Sequence, residues 1–238
     1  MKPLIIANWK AAKTIKESVE WVKEVKSDLE EVDYAEIIIC PPFTSLPFAA
    51  SLFKDTNVKV GAQDVSKFEK GAYTGEVTAE MLEGLVDYCI VGHSERRKYF
   101  GEEDDDIVQK VKNLLKYSIT PILCVSNLSQ LDSYLERGRL IIDEAQKIVF
   151  VYEPPSAISG GGIYHPESPK EASENAGKIA LKIGKKVTTI YGGSVNPENV
   201  GSFFAEENIE GALIGQASLA AETFLDLLKA AKLGSVIK

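Results

Sequence analysis

Short apolar runs of the length of a β-strand recur along the whole chain. There are eight of them, namely PLIIAN from Pro3, EIIIC from Glu36, VKVGA from Val58, YCIVG from Tyr88, TPILCV from Thr120, KIVFVY from Lys147, VTTIYGG from Val187 and EGALIG from Glu210. Most of these runs are continuous rather than alternating. This pattern is typical of strands that are buried on both faces of a parallel sheet.

Amphipathic stretches lie between most of the apolar runs. The clearest is predicted to be helical over 15–32, because its apolar residues share one face: Ile15, Val19, Val22, Val25 and Leu29. Further helices are predicted over 104–117, 166–184 and 218–234, and another after Pro197 with Asn196 as its N-cap. The stretch 126–146 has the weakest pattern, and we expect a shortened or irregular connection there.

A β-then-α unit repeated in this way, without a linker or a low-complexity tract, predicts an α/β fold: a single (β/α)₈ barrel domain over residues 1–238. A length of 238 residues is typical of such a barrel. The structural alternative is a doubly wound open sheet, which usually carries G-x-G-x-x-G after its first strand. Here the first run is followed by Asn8-Trp9-Lys10, which contains no glycine and favours the barrel.

The charge balance limits the classes of partner. The chain has 27 Lys and Arg against 35 Asp and Glu, a formal net charge of −8. This argues against broad binding to nucleic acid or anionic membranes. An anionic substrate would need a local positive field, which backbone amides and one or two lysines can supply.

The three cysteines, Cys40, Cys89 and Cys124, each lie inside an apolar run. We expect buried thiols in a reducing compartment, with neither a disulfide framework nor a zinc site, because the count is odd and no CxxC spacing occurs. The apolar stretch near the N-terminus is too short for a signal peptide, and no later run reaches membrane length. We therefore expect a cytoplasmic protein.

Polar residues and glycines follow several of the predicted strands, at the C-terminal ends where barrel enzymes have their active sites. They are Asn8 and Lys10, His93 and Glu95, Glu153, Tyr191 to Ser194, and Gly215 with Gln216. Glu153 could remove a proton from a carbon beside a carbonyl, His93 could polarise that carbonyl, and Lys10 could balance the developing negative charge. Backbone N–H groups of the glycine-containing loops could surround a phosphate. This chemistry requires neither a metal nor a cofactor.

Several motifs together make a family resemblance. They are AsnTrpLys at 8–10, GlyHisSerGluArgArg at 92–97, TyrGluPro at 152–154, TyrGlyGlySer at 191–194, GlyGlnAlaSer at 215–218, and the runs GAQDVS and GAYTGEVTAEML from Gly61 and Gly71. In this order and over nearly the whole chain, they resemble the triosephosphate isomerases. The resemblance implies interconversion of dihydroxyacetone phosphate and D-glyceraldehyde 3-phosphate through an enediolate, in glycolysis and gluconeogenesis, without cofactor or metal.

The resemblance also implies roles for single residues. Glu153 would be the base, His93 a neutral electrophile and Lys10 the cation that binds substrate. Asn8 would contact the substrate at the first strand end, and Glu95 would be a partner of Lys10 or of the imidazole.

The stretch 153–162 resembles a mobile lid over the substrate. Phosphate contacts are implied for Ser159, Gly193, Ser194, Gly215 and Gln216. Tyr191 and Ser194 resemble the latch that holds the closed lid by hydrogen bonds.

The third loop, 71–76, implies a homodimer. In that assembly Thr74 would reach the neighbour's Asn8 and Lys10, and Glu76 would pair with Arg96 across the interface. The connection from Cys124 to Glu153 is short, as in archaeal-type relatives that often form tetramers, so the choice between dimer and tetramer stays open.

The chain departs from the usual family pattern at Ser156 (commonly Trp), Ser159 (commonly Gly) and Gln216 (commonly a second Gly). Other interpretations are another sugar-phosphate barrel, such as an epimerase or an indole-forming synthase, a barrel that binds without catalysis, and an engineered variant. The first lacks the AsnTrpLys, His and Glu set, and the second is disfavoured by the intact Asn8, Lys10, His93 and Glu153.

Overall fold

The computed structural model describes residues 2–158 and 166–235. Its strands are β1 (Leu4–Asn8), β2 (Glu36–Cys40), β3 (Lys59–Ala62), β4 (Tyr88–Val91), β5 (Thr120–Val125), β6 (Val149–Tyr152), β7 (Thr188–Tyr191) and β8 (Gly211–Ile214). Neighbours in this order pair in parallel, and β1 also pairs with β8, which closes the sheet into a barrel. The predicted (β/α)₈ barrel is confirmed, with each strand inside its predicted run.

Helices surround the barrel. They are α1 (Ile15–Glu30), α2 (Leu46–Phe53), α3 (Ala79–Leu82), α4 (Ser94–Phe100), α5 (Asp104–Lys116), α6 (Leu128–Arg137), α7 (Arg139–Asp143), α8 (Pro169–Ile183), α9 (Val200–Phe204) and α10 (Ala221–Ser235). Capping boxes, Thr14 with Glu17 and Ser168 with Glu171, begin α1 and α8 by satisfying N–H groups that the first helical turn leaves unpaired. No helix in the part of the chain that the structure describes is long and apolar enough to cross a membrane.

Two expectations about helices were wrong in detail. The stretch 126–146 is not irregular but forms α6, α7 and a short 3₁₀ turn, because Leu131, Tyr134 and Ile141 give it a buried face. The helix expected after Pro197 begins only at Val200. The Asn196 side-chain oxygen accepts N–H bonds from residues 198 and 199, and so caps a turn that precedes the helix.

The core has two layers because successive side chains of a strand point to opposite faces. One cluster fills the barrel and includes Ile6, Ile38, Ile90, Cys124 and Val151. Residues of the other parity, such as Ile5, Ile37 and Cys89, pack against the helices. All three cysteines are free and buried, as predicted.

This alternation also aims the polar residues at the strand ends. The inward parity of Ile6 carries on to Asn8, and that of Val151 carries on to Glu153. Both polar residues are buried at the C-terminal mouth of the barrel. The barrel thus presents an amide and a carboxylate on its axis without disturbing the packing below them.

Candidate active site

A cavity of about 770 Å³ opens at the C-terminal ends of the strands. Of the residues predicted for the site, it is lined by Asn8, Lys10, His93, Glu153, Gly193, Ser194, Gly215 and Gln216. Residues far apart in the sequence, at the C-terminal ends of β1, β4, β6, β7 and β8, therefore share one cavity. The loops after β7 and β8 and the ionisable residues Lys10, His93 and Glu153 all line it.

Glu153 follows β6 and is 1% exposed. One carboxylate oxygen accepts the backbone N–H of Ser94 at 3.0 Å, and the other accepts the Ser94 hydroxyl at 3.0 Å. The second oxygen also lies 3.0 Å from Nε2 of His93. The carboxylate is therefore held by donors on the turn that begins α4.

His93 is the N-cap of α4, and its Nδ1 accepts the backbone N–H of Glu95 at 3.2 Å. A ring nitrogen that accepts a hydrogen bond carries no proton, so the proton of the neutral imidazole is on Nε2. Nε2 faces Glu153 and the cavity. The local fold thus selects the neutral tautomer that can donate a hydrogen bond into the site.

Lys10 has a left-handed backbone, with φ of 50°. Its N–H donates to the Asn8 side-chain oxygen at 3.0 Å, and its ammonium lies 2.5 Å from a carboxylate oxygen of Glu95. Lys10 and the imidazole are the two predicted partners of Glu95. The Lys10 ammonium is the closer one, because Nδ1 of His93 lies 3.8 Å from the other carboxylate oxygen of Glu95. Lys10 is about one third exposed, so its charge can reach a ligand in the cavity.

The loops after β7 and β8 require small residues. A Cβ on Gly193 would lie 2.2 Å from the Tyr191 hydroxyl oxygen and 2.9 Å from Cβ of Ala157. A Cβ on Gly215 would lie 3.1 Å from Cε of Lys10. The loop backbone therefore approaches both the lysine and the segment that follows Glu153.

Tyr191 and Ser194 contact both described ends of the stretch that contains the predicted lid. The Ala157 carbonyl accepts the N–H of Ser194 at 2.9 Å and its hydroxyl at 2.8 Å. The buried Tyr191 hydroxyl accepts the N–H of Glu167 at 3.2 Å. Ser159, predicted to contact phosphate, and the rest of the predicted lid up to residue 162 lie outside the described residues.

The residues predicted for the dimer interface lie outside the cavity. Thr74 and Glu76 are exposed, whereas Arg96 is half-buried. Nε of Arg96 lies 2.9 Å from Asp64 and 3.2 Å from Glu102, so this guanidinium already has carboxylate partners in its own chain.

Sequence reasoning missed two residues that contact the predicted set. Ser94 donates both hydrogen bonds to Glu153 described above. The Gln63 amide donates to the Lys10 carbonyl at 2.9 Å. Ser94 stands inside the GlyHisSerGluArgArg motif, and Gln63 directly follows β3. Their position after a strand was the available signal, but neither side chain is one that by itself indicates proton transfer.

The chemistry open to this site is limited by its other groups. Burial raises the pKa of the Cys124 thiol, which lies beside Glu153, so this thiol is a packing residue rather than a nucleophile. Among residues 2–158 and 166–235, no group of three His, Cys, Asp or Glu side chains could hold a metal ion.

Comparisons with known proteins agree with the resemblance. The family model described as triosephosphate isomerase matches residues 3–231. The triosephosphate isomerase of Dictyoglomus turgidum is 39% identical over 246 residues, which covers 96% of this chain and 99% of the relative. That of Dictyoglomus thermophilum is 38% identical over 252 residues, with coverage of 96% and 99%. That of Endomicrobium trichonymphae is 38% identical over 248 residues, with coverage of 97% and 99%.

Proposed function

Because this chain belongs to the triosephosphate isomerase family, we propose that the cavity at the mouth of its barrel is the active site and that Glu153, His93 and Lys10 carry the reaction. The protein interconverts dihydroxyacetone phosphate and D-glyceraldehyde 3-phosphate by proton transfer through an enediolate, as a step of glycolysis and gluconeogenesis. The observation that carries the site proposal is the convergence of a carboxylate, a neutral imidazole and an ammonium on one cavity.

In this proposal the Glu153 carboxylate takes a proton from the carbon beside the carbonyl. The electron pair of the broken C–H bond forms the double bond of the enediolate, and the carbonyl pair moves onto oxygen. Nε2–H of His93 donates to that oxygen. Glu153 then returns the proton to the neighbouring carbon, while the imidazole moves the hydroxyl proton from one oxygen to the other. Atoms and charge balance without a cofactor or a metal.

The substrate has to change the resting hydrogen bonds for this to happen. Nε2 of His93 lies 3.0 Å from a Glu153 oxygen, so the carbonyl oxygen of the substrate has to take the place of that carboxylate beside Nε2. Freed from His93, the carboxylate turns toward the carbon. Lys10 and Asn8 hold the oxygens of the substrate, and Glu95 sets the position of the Lys10 ammonium.

Backbone groups supply most of the phosphate site in this proposal. The N–H groups of Ser159, Gly193, Ser194, Gly215 and Gln216 surround the phosphate, which suits a chain of net charge −8 that has few cations near its cavity. Ser194 exchanges the Ala157 carbonyl for a phosphate oxygen. The stretch 153–162 closes over the ligand and excludes water, with Tyr191 and Ser194 as the latch.

We further propose that this single-domain, cytoplasmic protein acts as a homodimer, with a tetramer as the second candidate. Nine large hydrophobic side chains among the described residues are exposed, and seven of them come from the first four β/α units: Ile15, Phe43, Phe48, Tyr73, Met81, Tyr99 and Phe100. A contiguous exposed apolar patch is typical of an interface, and we propose that side chains of this half of the barrel contribute to one. Thr74 lies in that part of the chain and would support the neighbour's Asn8 and Lys10, and Glu76 would reach the neighbour's Arg96.

Isomerisation in D₂O tests the proton-transfer site. A carboxylate base exchanges the abstracted proton with solvent before returning it, so the product should carry deuterium on carbon in part of its molecules. The reaction should proceed unchanged with a chelator and without nucleotide. A product free of deuterium, formed at full rate, would indicate a direct hydride shift and would contradict the role of Glu153. An absence of any turnover would favour a barrel that binds without catalysis.

A further inference from the structure

Lys10 has a backbone conformation that its own side chain disfavours. Its φ of 50° lies in the left-handed region, where the Cβ of an L-residue crowds the following carbonyl. Such a conformation persists only where the surrounding structure holds it. The groups that hold Lys10 therefore also determine where its ammonium lies.

Residues from four strand ends contact or closely approach Lys10. Asn8, the last residue of β1, accepts its N–H, and Glu95 after β4 lies 2.5 Å from its ammonium. Gly215 after β8 leaves room for its Cε. The fourth contact is Gln63 after β3, whose amide nitrogen donates to the Lys10 carbonyl at 2.9 Å. The first three residues already have a part in the proposed reaction, and Gln63 has none.

The Gln63 amide links two strand ends. Its nitrogen carries two hydrogens and donates to the carbonyls of Lys10 and Cys40, each at 2.9 Å. The Cys40 carbonyl also accepts the N–H of Trp9 at 3.1 Å, which ties the end of β2 to the turn after β1. Among the described residues, the Lys10 carbonyl has no hydrogen-bond donor besides Gln63.

We propose that Gln63 is a positioning residue for Lys10: its amide holds the left-handed Lys10 peptide against the end of β2 and thereby places the ammonium at the anionic substrate. This inference rests on the proposed function, because it takes Lys10 as the cation that binds substrate. Without the amide, the Lys10 peptide can rotate out of the left-handed region. The ammonium, three methylenes and a Cβ away, then moves with it.

The variant Gln63→Met tests the proposal, since methionine has a similar length and no N–H groups. We expect kcat/KM to fall about tenfold and the Kd of 2-phosphoglycolate, a stable anionic analogue, to rise about tenfold, because small displacements of a charged group cost rate and affinity steeply. The oligomeric mass should stay as in the unaltered protein, and the thermal midpoint should fall by no more than about 2–8 °C, because the variant loses two hydrogen bonds. Unchanged kinetics and binding would overturn the proposal.

A double-mutant cycle with Lys10→Met separates positioning from general packing. If Gln63 acts through Lys10, adding Gln63→Met to Lys10→Met should change the Kd of 2-phosphoglycolate by less than about twofold. An equal weakening in both backgrounds would assign Gln63 a structural role independent of the lysine and would overturn the proposal.

Two further variants complete the test. Gln109→Met is the matched control. Gln109 is a half-buried glutamine on α5, away from the cavity, and its amide donates to Asn113 at 2.8 Å. The kinetics of the Gln109→Met protein should equal those of the unaltered protein. If Gln63→Met fails to fold, Gln63→Glu keeps the size and removes the donors, and should show the same loss; kinetics equal to the unaltered protein would overturn the proposal. If the unaltered protein neither isomerises nor binds 2-phosphoglycolate, the proposed function fails first and this inference with it.

Discussion

Oε1 of Glu153 lies 3.0 Å from Nε2 of His93, so the two groups assigned to proton transfer are neighbours before any substrate arrives. Nδ1 of the same imidazole accepts a backbone N–H, which leaves the proton on Nε2. In the resting site the acid and the base therefore lie in direct contact. Substrate binding has to separate them, and the donors that hold Glu153 in this position influence the rate.

Ser94 provides two of those donors, and the variant Ser94→Ala removes its hydroxyl while keeping its N–H. We expect kcat to fall by about tenfold, because the Ser94 hydroxyl fixes the position from which the carboxylate turns toward the substrate carbon, and a base that starts from a displaced position reaches that carbon less often. KM should change little. Steady-state kinetics measure both values.

The exposed Ser202→Ala on α9 serves as the control for that substitution and should leave kcat unchanged. A Ser94→Ala protein with the kcat of the unaltered protein would show that the hydroxyl bond to Glu153 has no part in the rate.

The variant Lys10→Ala should lower kcat/KM by about 10²–10³-fold or more, since it removes the cation from the position where the enediolate charge develops. The fold should survive, because the Lys10 side chain is about one third exposed and fills no core position. Kinetics and a circular-dichroism melt check the two parts. Lys16→Ala, on the exposed face of α1, is the control. Appreciable activity in Lys10→Ala would contradict the electrostatic role.

The variant Tyr73→Lys with Met81→Glu tests the proposed dimer. Both side chains are exposed hydrophobics of the first four β/α units, so charges there should give monomers, and activity should fall with association because Thr74 no longer supports the neighbour's site. Sedimentation and kinetics at several protein concentrations measure this.

Leu181→Lys, on α8, is the matched control, because Leu181 is equally apolar and is 81% exposed outside that group. The Leu181→Lys protein should keep its mass and its rate. A Tyr73→Lys, Met81→Glu protein that stays dimeric, or monomers of full activity, would contradict the interface.

The buried thiols give a prediction on pH. Burial raises the pKa of Cys40, Cys89 and Cys124, so the folded protein should not react with a thiol reagent at pH 8, whereas all three should react after unfolding. A group whose folded pKa is raised binds its proton more tightly in the folded state. The free energy of unfolding should therefore fall as the pH rises above about 8.5, the ordinary pKa of a free thiol. Rapid labelling of the folded protein would contradict this.

The strands were predictable because each is an uninterrupted apolar run, and parallel burial leaves that pattern plain in the sequence. Their C-terminal ends then indicated Asn8, Lys10, His93 and Glu153 together. α2 went unpredicted because LPFAASLF is apolar on nearly all sides and has little helical periodicity. α9 begins late because the Asn196 side-chain oxygen accepts the N–H groups of residues 198 and 199 in a turn before the helix. The residue types alone do not indicate which N–H groups this oxygen binds.

The contacts around the site were harder to predict than its reactive residues. A single glutamine such as Gln63 gives no sequence pattern, because its part depends on the carbonyls of Lys10 and Cys40 meeting at one place. The choice of Lys10 as the ion-pair partner of Glu95 was likewise decided by distance, 2.5 Å against 3.8 Å from His93. Positions along the chain give the residue types at each strand end, whereas the closure of the barrel determines which of them touch.

The most direct measurement is the conversion of glyceraldehyde 3-phosphate to dihydroxyacetone phosphate by the purified protein and by Glu153→Gln, with binding of 2-phosphoglycolate measured for both. The amide keeps the shape of the carboxylate and cannot act as a base. We predict turnover in the unaltered protein, a loss of about 10²–10⁴-fold in kcat for Glu153→Gln, and binding of the analogue by both. A Glu153→Gln protein with the rate of the unaltered protein would contradict the assignment of Glu153 as the base.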